Sequence, residues 1–512
     1  MEPSTVTATV PPLFGRHLSE LMAKVVPIGA KDDRFITGLS SDSRTVAPGD
    51  LYFACRGRRY DGGAFIEAAC AAGAVAVVVE AGPVLPARCG AVPVLAVADL
   101  SASLGLIAHR FFGEPSRALK VIGVTGTNGK TSVSHYVAQA LHHWVPEGGD
   151  ARPCGLIGTL GYGVIGDLEP GLHTTPDAIT THRRLAEIRS RRARFAVLEA
   201  SSHGLDQRRT AEVAFHIAVF TNLSRDHLDY HGSMSAYGAA KRRLFHSPGL
   251  AFAVLNLDDP FGNQLLDELP SGVEPLTFGI ESVDRRPAVT GRIVACTPQG
   301  LAIAVQSPWG SGEVTTNVIG RFNASNLLAV LTTLLASGMP MAVALARIKN
   351  LTPVPGRMEC FGGRSGLPLV VVDYAHSPGA LAAVLATLRE RCAGVLWCVV
   401  GCGGERDQGK RPLMGATAAR AADVIVLTDD NPRGEDGQRI IDEMLAGVPP
   451  RGAVIVERDR ELAIRYAVQT AAPEDVILVA GKGHEQFQER AGVRRPFSDP
   501  LVVRNALREY TP

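Results

Sequence analysis

The sequence predicts an α/β protein of three domains built mainly on parallel sheets. Three observations predict it. Short β-branched runs alternate with longer Ala/Leu-rich segments along the chain, a glycine-rich turn directly follows one apolar run, and prolines punctuate two places where the pattern restarts. At roughly 100–200 residues per domain, a chain of 512 residues has room for two to four domains.

In the first region, to about Ser116, strands are expected at Leu51–Cys55, Ala74–Val79 and Val94–Val97, with a helix near Phe65–Ala72. The second region opens on the strand Leu119–Val124. It continues through strands at Phe195–Leu198, Ala218–Phe220 and Ala253–Leu255 to a helix near Ser325–Ala336. The third holds strands at Leu369–Val372, Val395–Val400, Val424–Leu427 and Val476–Ala480. Pro115, Pro353 and Pro355 disfavour helix at and just before their own positions. The expected domains are therefore residues 1–117, 118–352 and 353–512.

Composition excludes several classes. With 52 basic and 51 acidic residues the net charge is +1, so the basic excess of a dedicated nucleic-acid binder is missing. A few focused Arg and Lys side chains still suffice for an anionic substrate. The nine cysteines are scattered, with no Cys-x-x-Cys pair, which suits reduced cytoplasmic thiols rather than disulfides or a zinc site. The stretch Met1–Glu20 lacks the basic start and apolar core of a secretory signal, and no apolar run is long enough to span a bilayer. The expectation is a soluble cytoplasmic monomer that binds neither nucleic acid nor membrane.

The sharpest local signal is GVTGTNGKTS, Gly123–Ser132, between an apolar strand and a helical segment. Glycines let backbone N–H groups curl toward phosphate oxygens, a lysine reaches the terminal phosphates, and the hydroxyl after it suits Mg²⁺. Gly126, Thr127, Asn128, Gly129, Lys130, Thr131 and Ser132 are the candidate ATP-binding residues. The strict pattern has its first glycine at the position of Val124, and here it comes one residue early. The loop signals a nucleoside triphosphate without naming the reaction. The plain alternative is a glycine-rich turn with an incidental lysine.

Around the loop lie EASSHGLDQRR (Glu199–Arg209), TNLSRDHLDYHG (Thr221–Gly232), GRFNASN (Gly320–Asn326), PGRME (Pro355–Glu359) and DYAHSP (Asp373–Pro378). Together with TGTNGKTS, and in this order, they closely resemble the Mur ligases, which add amino acids to the peptidoglycan precursor. The resemblance spans all three expected domains. It implies an N-terminal domain for the UDP end, a central P-loop-type ATPase domain and a C-terminal Rossmann-like domain for the incoming amino acid. It places Glu199 and His227 at Mg²⁺ with Thr131 on the ATP side, and adds Asn323, Arg357 and Asp373 to the ATP site. Lys130, Glu199, His227 and Lys241 are then the catalytic set. Read plainly, Lys241 is a solvated helix lysine. In similar ligases the lysine here is carbamylated by CO₂, which turns a cation that repels Mg²⁺ into an anion with two oxygen ligands. The neighbouring Arg242 and Arg243 face solvent or phosphate, and the residues do not choose.

Ser41 and Ser43 of SDSR, with Arg58 and Arg59 of RGRRYDG, resemble the uridine-diphosphate site; the basic cluster is equally readable as a solvated turn. His173, Thr174, Thr175, Ser201, Gln207 and Arg209 match positions where relatives bind the muramoyl dipeptide, although short hydroxyls also cap loops. In the third region DDNPRGED and GKGHE each follow a strand, at the sheet end where open α/β sheets bind ligands. Asp430, Asn431, Pro432 and Arg433, with Gly481, Glu485 and Arg406, resemble relatives that take meso-diaminopimelate. Arg433 has the planar fork for its extra carboxylate, and Glu485 suits the far amino group. The resemblance thus implies ATP-dependent addition of meso-diaminopimelate to UDP-N-acetylmuramoyl-L-alanyl-D-glutamate through an acyl phosphate. The alternatives are a lysine- or dipeptide-adding Mur ligase, folylpolyglutamate synthase, or a nucleotide-binding regulator without turnover.

Overall fold

The structure, a computed structural model, describes residues 14–57, 61–82, 88–280, 285–297, 300–450 and 453–511, so Arg58 and Arg59 lie outside the described residues. Two compact units divide the chain. One holds Met1–Val121 with Arg152–Phe215, and the other Ile122–Ala151 with His216–Pro512.

The first unit carries a five-stranded sheet in the order Gly38–Ser40, Asp50–Ala54, Ala76–Glu80, Val92–Val97 and Arg88–Cys89. All its pairs are parallel except the last. Asp99 caps the helix Leu100–Phe111 by accepting from Ala102 N at 2.9 Å. That helix closes one sheet face over Leu51, Phe53 and Val78, with Ala178 and Ile179 in the same core. The unit also contains Cys154–Gly158, paired in parallel with Phe195–Glu199 and antiparallel with Gly161–Val164.

In the second unit Phe215–Phe220, Phe252–Asn256, Glu274–Gly279 and Val289–Thr297 follow one another as parallel neighbours. An antiparallel ribbon, Gly300–Ser307 and Gly310–Thr316, extends them. The helix Phe322–Ala336 is apolar on nearly every face and is buried along most of its length, as an all-round apolar helix must be. A second sheet runs Glu359–Gly362, Leu369–Asp373, Val476–Ala480, Leu396–Val400, Val424–Leu427 and Ala453–Val456, parallel except at its first pair. Helices cover both faces. Val371, Leu385, Cys398 and Leu427 share one core, while Val370, Val372, Val399 and Ile464 share the other. Burial on both faces explains why these strands read as continuous apolar runs.

The expected α/β class is the observed one, and every expected strand is present with ends moved by a few residues. The sheets are mixed, because antiparallel ribbons extend their parallel cores. No helix among the described residues is long and apolar enough to cross a membrane.

Candidate active site

The strand Lys120–Thr125 ends in the phosphate-type loop, and the helix Lys130–Leu141 begins at Gly129. Two glycines are forced there. Gly126 (φ 151°) and Gly129 (φ 84°) have left-handed backbones, and a Cβ on either would run into Thr221 Oγ1 or Asn326 Oδ1. The segment after the strand Phe215–Phe220 braces the loop. Thr221 Oγ1 donates to Asn128 O at 2.6 Å, Asn128 N donates to Asn222 Oδ1 at 2.9 Å, and Ser224 N donates to Thr127 Oγ1 at 3.0 Å. Lys130 Nζ donates to Gly126 O and Thr127 O, each at 2.9 Å. Arg357 reaches the same loop, its NH2 donating to Thr131 Oγ1 at 3.2 Å while its guanidinium lies 4.5 Å from the Tyr374 ring centre. Asn323 binds Asn326, whose amide stands against Gly129. Asp373 accepts from Met358 N at 2.8 Å. Burial raises its carboxyl, against the pull of Arg357 and nearby amides.

Lys241 departs from its plain reading as a solvated helix lysine. It is 1% exposed, and its Nζ donates to Gly126 O at 2.7 Å, 4.3 Å from the Tyr237 ring centre. Burial lowers its pKa well below the usual lysine value, and the Lys130 charge lowers it further. Both Lys130 and Lys241 place their Nζ on the Gly126 carbonyl, and the shift of the deeper one favours the neutral amine, the form that reacts with CO₂. Arg242 instead pairs with Glu268 at 2.7 Å, and Arg243 is exposed.

Asp226, absent from the expected set, is the buried anion of this region. His376 Nε2, Lys410 Nζ and His227 Nε2 stand 3.5, 3.6 and 3.5 Å from its oxygens. Burial alone would raise its carboxyl, but the His376 hydrogen bond and the electrostatic pull of His376, Lys410 and His227 outweigh burial and hold it far below the ordinary range.

The first unit gathers the peptide-side candidates. Glu199 ends its strand, and both carboxylate oxygens are held by Thr159, through N at 2.9 Å and Oγ1 at 3.0 Å. Thr159 Oγ1 also reaches Thr174 Oγ1. Thr175 Oγ1 donates to Glu199 O at 2.7 Å and lies 2.9 Å from Ser201 Oγ. Arg209 binds Thr175 O at 2.8 Å and grips Gln207 Oε1 through two nitrogens. His173 is exposed, with its carbonyl bonded by Tyr162 OH. Ser41 is exposed and Ser43 begins a 3₁₀ turn capped by Asp42; no described hydrogen bond joins either to the Glu199 cluster. Arg56 pairs with Asp61 at 3.2 Å.

The amino-acid candidates gather at the strand ends of the second sheet. Asn431 Nδ2 donates to Glu485 Oε2 at 2.8 Å. Arg433 adopts φ 55°, and its NH1 donates to Gly404 O at 2.6 Å. Asp430 packs against Gly481, where a Cβ would meet its carboxylate. Pro432 is buried and Arg406 exposed. A hairpin, Phe487–Arg490 with Val493–Pro496, grips this loop. Gln488 Nε2 binds Asp429 O and Asp430 O, and Glu489 N binds Asn431 Oδ1. Sequence reasoning missed Thr159, Asp226 and the hairpin; only the alternating FQER–VRRP ribbon offered a signal for the last.

Among the described residues no three His, Cys, Asp or Glu side chains form a ready-made metal cage. The donor chemistry nevertheless suits Mg²⁺. Thr131 and Glu199, in their separate units, carry oxygens of the hard kind, His227 carries an imidazole, and the buried Lys241 amine, its pKa lowered, is of the kind that takes up CO₂ to add two more oxygens.

Three family models match the chain: Mur ligase family, catalytic domain over residues 35–111, Mur ligase middle domain over 124–334, and Mur ligase, glutamate ligase domain over 356–483. Similar proteins include the UDP-N-acetylmuramoyl-L-alanyl-D-glutamate--2,6-diaminopimelate ligases of Alkalilimnicola ehrlichii and Chromobacterium violaceum. The former is 49% identical, covering 96% of this chain and 99% of its own; the latter is 50% identical, covering 92% and 94%. A solved structure of an enzyme with that name superposes with a TM-score of 0.65 at 36% identity, covering 93% of this chain and 95% of its own. The ADP complex of MurF ligase from Thermotoga maritima shares the fold, with a TM-score of 0.63 at 20% identity, covering 94% and 99%. The chain belongs to the Mur ligase family.

Proposed function

We propose that the chain is an ATP- and Mg²⁺-dependent ligase that joins meso-diaminopimelate to UDP-N-acetylmuramoyl-L-alanyl-D-glutamate, working as a cytoplasmic monomer in peptidoglycan precursor synthesis. The observation that carries the reading is the pairing of Asn431 with Glu485 beside Arg433 in the same unit as the Lys130 loop. Relatives about half identical that bear the corresponding name support it. The three family matches support domains at residues 1–117, 118–352 and 353–512.

In this reading the γ-carboxylate of D-glutamate attacks the γ-phosphorus of ATP, the bond to the bridging oxygen breaks, and ADP departs. The amine of diaminopimelate then attacks the acyl carbon, phosphate leaves with the bonding pair, and the amine gives up a proton. The backbone N–H groups of Gly126–Ser132 and the Lys130 ammonium hold the phosphates and spread the charge that builds on them. Arg357, already on Thr131, adds a second cation there. Mg²⁺ held by Thr131, Glu199, His227 and carbamylated Lys241 would neutralise phosphate charge in both steps. Thr174, Thr175, Ser201, Gln207 and Arg209 hold the peptide, and Ser41, Ser43, Arg58 and Arg59 the UDP end. Arg433 and Arg406 take the carboxylates of diaminopimelate, and Glu485 its ammonium. Because three substrates must meet, positioning supplies much of the acceleration.

ADP and phosphate release, measured with the muramoyl dipeptide and a panel of amino acids, tests this. Release is expected only when dipeptide and diaminopimelate are both present; release indifferent to the amino acid would overturn the reading. Arg433→Ala should lose its preference for diaminopimelate over lysine, and an unchanged preference would take Arg433 out of the specificity role.

A further inference from the structure

One buried cation beside the amino-acid residues has no part in the chemistry above. The Lys482 side chain is fully buried, and its Nζ donates to Glu485 Oε2 at 2.8 Å and to Asn431 Oδ1 at 3.0 Å. Asn431 Nδ2 donates to the same Glu485 oxygen at 2.8 Å, and Glu489 N holds Asn431 Oδ1 at 2.9 Å. Two donors therefore fix one oxygen of the Glu485 head. Its other oxygen takes no hydrogen bond from any described residue, and the side chain keeps 20% exposure.

Burying an ammonium costs several kcal/mol unless geometry and partners compensate. An apolar side chain would serve as well if filling space were the only demand. What an apolar residue cannot do is donate a hydrogen bond that holds a carboxylate with one oxygen occupied and the other open. Lys482 also touches both halves of the site, because Asn431 belongs to the Asp429–Arg433 loop and Glu485 to the loop after Val476–Ala480.

We propose that Lys482 is a positioning residue for the incoming amino acid: it clamps Glu485 and Asn431 so that the open Glu485 oxygen receives a substrate ammonium while Arg433 stays in place for a carboxylate. This rests on the reading that Glu485 and Arg433 hold the amino-acid substrate.

The test uses full-length Lys482→Met, Lys482→Arg, Glu485→Gln and the Lys482→Met/Glu485→Gln double variant. KM is measured for diaminopimelate, ATP and the UDP-muramoyl dipeptide, with thermal unfolding alongside. Lys482→Met should raise KM for diaminopimelate roughly tenfold or more, the usual worth of hydrogen bonds to a charged group, and leave the other two KM values unchanged. Lys482→Arg should recover part of the loss. In the Glu485→Gln background the added effect of Lys482→Met should nearly vanish, because both changes remove one interaction. Equal losses in both backgrounds, or three KM values rising together with a lower Tm, would overturn the proposal. If Lys482→Met fails to fold, Lys482→Arg decides: a KM rise confined to diaminopimelate supports the clamp, and three unchanged values sink it. A wild-type enzyme without diaminopimelate-dependent turnover would instead bring down the ligase reading itself.

Discussion

A lysine near the end of the helix Met234–Arg242 would ordinarily reach water, yet Lys241 is buried against Tyr237 with its amine on Gly126 O. No property of the segment YGAAKRRLF distinguishes it from a surface lysine; only the packed loop beneath it does. Lys241→Met should therefore abolish ATP-dependent ligation while leaving Tm unchanged or higher, since a desolvated amine gives way to a thioether of similar length. Wild-type turnover in that variant would exclude a chemical role for the amine. Residues inside contiguous motifs, such as Lys130, Asn431 and Glu485, were legible in the sequence. Thr159, whose hydroxyl and amide hold Glu199, was not, because forty positions of chain separate the partners.

Helices Leu100–Phe111 and Ala178–Ser190 meet through His109 and His182, whose rings stack edge-on with centres 5.2 Å apart. His182 Nε2 lies 2.9 Å from Ala211 O, and burial pushes its pKa down to about 4; burial lowers that of His109 as well. A histidine kept neutral by the fold gains protons more readily when unfolded. Its contribution is complete above about pH 6.5 and is lost as pH falls toward 4. Urea unfolding should show stability falling by a few kcal/mol between pH 7 and pH 4.5. His182→Gln should flatten that slope, and an unchanged slope would assign the acid sensitivity to other groups. At this scale the sequence displayed the doubly buried strands well, because continuous apolar runs bounded by glycines have few other readings. It hid the ribbon Val289–Thr316 and the strands Gly161–Glu169, where glycines and half-exposed polar residues dilute the alternation.

Within the second unit Asp226 ties segments far apart in the chain, taking His376 and Lys410 from beyond the expected boundary at Pro353. Arg357 on Thr131 crosses the same boundary. Removing one partner of a buried ionic cluster leaves the others uncompensated, at a cost of roughly 3–5 kcal/mol. Asp226→Ala should therefore loosen residues 353–511 from the rest of the unit, seen as faster proteolysis near Thr352–Arg357 and a larger radius of gyration in scattering. Identical cleavage and scattering would place the hold elsewhere. The proline punctuation predicts a boundary there, whereas the ties across it depend on three-dimensional closure that no local pattern encodes.

The hairpin Phe487–Arg490 with Val493–Pro496 meets the Asp429–Arg433 loop through side-chain amide and backbone bonds, and it has no described hydrogen bond to the Gly126–Ser132 turn. Under the proposed function, selection can thus redraw this short ribbon, and with it the guest that the neighbouring strand ends welcome, while the energy-coupling machinery passes unaltered from ancestor to descendant.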